Sequence, residues 1–161
     1  MKVRHEHVID APVEKVMATY ADKAFYVEKL KNSGAISVDV VEHAEQPGDR
    51  VRWKAKVSEP SRFPAFLRKS DVDTYVDDSV LDRPAGTLTW KVTPAIMADK
   101  FFLSGLMEFR KEGKGTRLSF TTRMDVKIPL VGGKAESIGL SKTEEEVARQ
   151  VAFLRKWLAE H

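Results

Sequence analysis

From residue 35 to residue 128 the apolar side chains recur at a spacing of two, and on either side of that stretch they recur at three to four. No other feature constrains the fold as much. A period of two sends successive side chains to opposite faces of a strand, so each alternating segment offers one face to a core and one to water. Ile36, Val38 and Val40 alternate with Ser37 and Asp39. After Gln46-Pro47-Gly48-Asp49, Val51, Trp53, Ala55 and Val57 alternate with Arg50, Arg52, Lys54 and Lys56. That pair reads as a hairpin with one wet face. Alternation covers residues 71–81, stops at Asp82-Arg83-Pro84-Ala85-Gly86, and returns with Leu88, Trp90 and Val92. Residues 100–110 carry Leu103, Gly105, Met107 and Phe109 on one parity. The turn Lys111-Glu112-Gly113-Lys114-Gly115 then leads into Leu118, Phe120, Thr122, Met124, Val126 and Ile128. Strands joined by short turns, with no helix between most of them, form an antiparallel meander.

The flanks behave differently. Residues 2–10 read as a first strand, with Val3, His5, His7 and Ile9 on one parity. Asp10-Ala11-Pro12-Val13-Glu14 then starts a helix: Asp10 or Ala11 precedes it, Pro12 suits its first turn, and Glu14 meets the positive dipole end. Ala24, Val27 and Leu30 give a second short helix, ended by Asn32-Ser33-Gly34. Residues 59–69 break the strand rhythm with two prolines, and a turn of helix or a capping loop is expected there. Residues 129–160 are helical, with Val147, Val151, Leu154 and Leu158 forming one apolar stripe. Ser141 with Glu144, or Thr143 with Glu146, fits a capping box, whereas Val131, Ala135 and Ile138 fit an earlier start near Leu130. One long helix, loosened near Gly139, is the expectation.

A chain of 161 residues is about one domain long, so residues 1–161 are read as a single domain with a sizeable core. Hydrophobic residues at 42% and charged residues at 32% exclude a disordered or membrane-embedded chain. With no cysteine there are no disulfides, thiolate metal sites or thiol nucleophiles, which fits a reducing cytoplasm. The charged start Met1-Lys2-Val3-Arg4 has no export signal, and no apolar run nears the ~20 residues that span a bilayer. A net charge of +3 spread over 27 basic and 24 acidic residues gives no basic footprint for nucleic acid.

The assembled order is α+β: strand, two short helices, about six further antiparallel strands, and a long amphipathic helix that alone can cover their apolar faces. Here the chain resembles the START-like superfamily, also called SRPBCC, helix-grip or birch-pollen-allergen-like domains. The resemblance rests on Val8-Ile9-Asp10-Ala11-Pro12-Val13-Glu14-Lys15-Val16 and on the terminal strand-helix pair. More specific is Val126-Lys127-Ile128-Pro129-Leu130-Val131-Gly132-Gly133-Lys134-Ala135-Glu136, similar to the junction in an uncharacterised bacterial branch. It implies a curved sheet of about seven strands wrapped around the C-terminal helix, with a cavity between them that relatives use for lipids, sterols, polyketides or other apolar ligands.

The wall of that cavity is expected from Trp53, Leu88, Trp90, Leu103, Met107, Phe109, Phe120 and Met124 on the sheet and Ile138, Val147, Val151 and Leu154 on the helix. Phe63, Phe66 and Leu67 are placed to close its mouth. The bland alternative is that the same side chains interdigitate as a solid core. His5 and His7 share a strand face without a visible third metal ligand, so no metal is expected; with Tyr75 they are the candidate polar contacts to a ligand head group. Asp77 and Asp78 point to opposite faces and are poor partners for shared acid–base work. The reading is binding of a hydrophobic small molecule or lipid with no cofactor and no catalysis. A protein-partner module of chaperone-assisting or ribosome-associated type, and a cyclase- or hydrolase-like enzyme, stay open as alternatives.

Overall fold

The computed structural model describes residues 1–161 as β1 (Lys2–Ile9), α1 (Val13–Ala21), α2 (Lys23–Asn32), β2 (Ser37–Gln46), β3 (Arg50–Pro60), β4 (Val72–Asp82), β5 (Thr87–Pro94), β6 (Phe101–Glu112), β7 (Gly115–Val126), α3 (Gly132–Ser141) and α4 (Thr143–Glu160). The strands form one antiparallel curved sheet in the order β1-β7-β6-β5-β4-β3-β2. Strands β2 to β7 pair with their chain neighbours, as short turns require. Only β1 is out of sequence, beside β7, so β1 and β2 hold opposite edges and α1 and α2 must bridge the width of the sheet.

Local chemistry explains most boundaries. Pro12 caps α1 from an extended conformation, two residues after Asp10 and one after Ala11. The Asp22 carboxylate accepts a hydrogen bond from Ala24 N–H and starts α2. Gly48 and Asp49 take positive φ, 84° and 58°, in the β2–β3 turn. The irregular stretch after β3 holds one 3-10 turn at Ala65–Leu67. The C-terminal helix is bent, and its interruption falls at Lys142, three residues past Gly139. Neither capping box forms. Thr143 is already the first residue of α4, one position past the cap, and its buried Oγ1 donates to Leu140 O.

The solid core lies where α1, α2 and the body of α4 meet the sheet. Val16, Phe25, Leu81, Leu118 and Leu154 have no exposed surface, and each such side chain contributes about 1.5–3 kcal/mol through burial. A smaller apolar cluster joins β7 to α3 through Met124, Val126, Ala135 and Leu140.

Candidate functional site

Strand register sorts the inward side chains into transverse rows, and the rows differ in bulk. Val51, Leu81, Leu88, Met107 and Phe120 stand abreast across β3 to β7 as a row of larger side chains, of which Leu88, Met107 and Phe120 border the hollow. The next row reads Trp53, Ser79, Trp90, Gly105 and Thr122: two indoles separated by side chains too small to meet α4. The Trp90 ring lies across Gly105, where a Cβ would stand 2.2 Å from its Cε2. This shortage of bulk leaves a cavity of about 340 Å³ between sheet, α2 and the α3–α4 junction, within the range of small-molecule sites.

Two polar groups interrupt the apolar wall. At the first, the Tyr26 hydroxyl donates to Asp77 Oδ2 at 2.6 Å and Ser79 Oγ donates to Asp77 Oδ1 at 3.1 Å. Burial pushes the Asp77 carboxyl above its ordinary range, against the pull of the Tyr26 bond and the Lys29 charge. Burial and the neighbouring Asp77 also raise Tyr26, which therefore stays a donor. Lys29, one turn along α2, holds its ammonium 5.5 Å from the ring centroids of Tyr20 and Tyr26, and burial lowers its pKa while Asp77 opposes that.

The second group centres on Arg62. Its Nε lies 3.0 Å from Glu59 Oε1, Nη1 pairs with Glu146, and Nη2 donates to Ser33 O at 3.2 Å. Its backbone N–H donates to Asp73 Oδ2 at 3.3 Å, and the Tyr75 hydroxyl reaches Glu59 Oε2 at 3.5 Å. One side chain thus ties the end of β3 to α2 and to the first turn of α4. Burial raises the Glu59 carboxyl, with Arg62 opposing. The Trp53 Nε1–H is buried without an acceptor.

Trp53, Phe63, Leu88, Trp90, Leu103, Met107, Phe120, Met124, Val147 and Tyr75 line the cavity. The other expected residues lie elsewhere. Phe66 is 47% exposed, with the Lys134 ammonium 5.2 Å from its ring, because the 3-10 turn aims it outward while Phe63 points in. Phe109, Val151 and Leu154 belong to the solid core: they sit beyond the hollow rows, where α1 and α2 close over the sheet and Tyr20 meets the Phe109 ring at 5.5 Å. Ile138, half-buried on α3, does not border the cavity. His5 Nε2 lies 2.9 Å from Thr143 Oγ1, and His7 stands edge-on to Phe120; β1 is an edge strand on the far side of β7, so neither reaches the cavity.

Tyr26, Lys29, Asp77, Glu59, Arg62 and Glu146 line the cavity without having been anticipated. Two of them carried a signal. Asp77 is an acid on the inward parity of β4, between Tyr75 and Ser79 and sharing that parity with Asp73, and Lys29 sits four residues after Phe25 and three after Tyr26, on the inner side of α2. Arg62 lies in the irregular segment, where no periodicity fixes direction.

A curved antiparallel sheet gripping a bent C-terminal helix, with a hollow between them, defines the START-like helix-grip class. The chain matches, over residues 4–158, the sequence profile of the family described as "Protein of unknown function (DUF2505)", and it belongs to that family. None of the curated proteins matches its sequence. Among solved structures it is similar to a Thermus thermophilus protein at 21% identity, covering 97% of this chain and 95% of that one, with a TM-score of 0.67. A START superfamily protein from Mycobacterium smegmatis matches at 14% identity, covering 98% of each chain, with a TM-score of 0.66. A norcoclaurine synthase from Thalictrum matches at 15% identity, covering 100% of this chain and 95% of that one, with a TM-score of 0.72. These likenesses establish the fold. No helix is long and apolar enough to cross a membrane.

Proposed function

We propose that this protein binds a hydrophobic small molecule or lipid in the cavity between the sheet and the C-terminal helix. The observation that carries the reading is the void itself: Trp90, Leu103, Met107, Phe120, Met124 and Val147 surround a space that Ser79, Gly105 and Thr122 are too small to fill. Closing such a void would gain dispersion contacts, so an apolar guest is the natural source of them. The cysteine-free composition supports a reducing, cytoplasmic setting. The hollow interior favours this reading over a protein-partner module.

Native mass spectrometry of protein purified without detergent tests it. A retained mass that organic solvent releases, or uptake of added decan-1-ol, is the expected result; a bare chain that takes up no decan-1-ol overturns the reading. A catalytic reading draws on a separate observation, the convergence of Tyr26, Asp77 and Lys29 on the same cavity, which is the minimum that acid–base work requires. Two solved neighbours of like fold are an aromatase/cyclase and a norcoclaurine synthase. Turnover of a bound carbonyl compound, lost in Tyr26→Phe, would replace binding with catalysis.

A further inference from the structure

The cations that border the cavity are not equally matched. Arg62 is taken up by Glu59, Glu146 and the Ser33 carbonyl, and Lys142 stands exposed at the α3–α4 junction. Lys29 is the exception: half-buried on α2, it holds its ammonium 5.5 Å from the ring centroids of Tyr20 and Tyr26, with no carboxylate within 4.0 Å and no hydrogen-bond acceptor. Asp77 is the acid whose charge acts on it, yet both Asp77 oxygens are already occupied by Tyr26 and Ser79. Buried charges in proteins are paired, because an isolated ammonium in an apolar setting is costly. Ring faces soften that cost but do not supply an oxygen to the ammonium protons.

We propose that the α2 end of the cavity takes the carboxylate of an aliphatic acid, with Lys29 as its counter-ion and the chain laid along Leu103, Met107 and Met124. The proposal rests on the ligand-binding reading above and adds the head group. Asp77 faces the same end, and its upward shift puts it toward the neutral form, which lowers the repulsion a second carboxylate meets. Glu59, Asp73 and Glu146 are the other acids on the lining. Glu59 and Glu146 face Arg62 and not Lys29, and Asp73 accepts the Arg62 backbone N–H.

Calorimetric titration of the full chain with decanoate, decan-1-ol and decylamine at neutral pH and low salt tests this. Decanoate is expected to bind about tenfold tighter than decan-1-ol, the size of one charge-assisted hydrogen bond, with decylamine weakest. Lys29→Met should bring decanoate down to the level of decan-1-ol and leave decan-1-ol unchanged; Lys29→Arg and Lys142→Met should keep the preference. Equal affinity of the unaltered protein for decanoate and decan-1-ol, or a preference that survives Lys29→Met, overturns the proposal while the cavity reading stands. Failure of all three to bind overturns both. The comparison on the unaltered protein decides even where Lys29→Met does not fold.

Discussion

The two halves of the interior are built from the same strands and the same helix, yet one is solid and the other hollow. In the solid half Phe25 meets Tyr20, Phe153 and Trp157 at centroid distances of 5.2 to 5.7 Å, and Leu118 and Leu154 have no exposed surface. In the hollow half, one row further along, Ser79, Gly105 and Thr122 face the α4 end that Arg62 ties down. The side chains that close the core and those that leave the hollow thus come from different layers of one sheet. A layer can give up bulk because its neighbour is filled.

The comparison breaks first at Phe25. Phe25→Ala removes a wholly buried ring from the solid half and should cost about 3–5 kcal/mol in urea denaturation. A cost under about 1.5 kcal/mol would show that this half is not the solid one. Next comes Gly105→Ala, whose Cβ overlaps the Trp90 ring and must drive the indole into the void. It should cost about 1–3 kcal/mol and abolish decan-1-ol uptake together; unchanged uptake would mean that the void does not depend on this row.

Thr122→Leu sharpens the contrast from the other side. It adds bulk where there is room, so stability should move by no more than about 1 kcal/mol while decan-1-ol affinity falls about tenfold. A loss of stability as large as that of Phe25→Ala would show a packed site. The smallest effect is electrostatic. Asp77 has its carboxyl raised by burial, so its contribution to stability is whole below the ordinary carboxylate pKa and is lost as pH rises through the raised value. Asp77→Asn should therefore flatten the stability–pH curve above the ordinary carboxylate range and leave the acid side of that curve in place; a variant curve parallel to the original would put the charge elsewhere.

What sequence could and could not reveal divides along the same line. Alternation in Val51–Val57 and Leu118–Val126 fixed which faces are apolar, since a period of two needs no knowledge of partners. The void has another origin. Ser79, Gly105 and Thr122 lie far apart in the chain and make a gap only because register sets them abreast, and register depends on turns whose lengths single strands do not encode. Phe109, Val151 and Leu154 have the right parity for the cavity and the wrong row, so periodicity could not separate them from Met107 and Val147. Asp77 stands out in the sequence as an acid on an apolar face, but its neighbour Asp78 is the same residue type and faces out to Arg52, so residue type alone does not separate the two. The START-like junction after β7 was legible as a motif, whereas Phe66 beside it had no marker of direction.

Methyl NMR of the labelled protein under xenon tests the central claim most directly, because xenon enters dry apolar voids without needing a head group. Shifts concentrated at Leu103, Met107, Met124 and Val147, with Val16, Leu118 and Leu154 unmoved, are the expected result. Shifts confined to surface methyls, or spread evenly over both halves, would contradict a hollow beside a solid core.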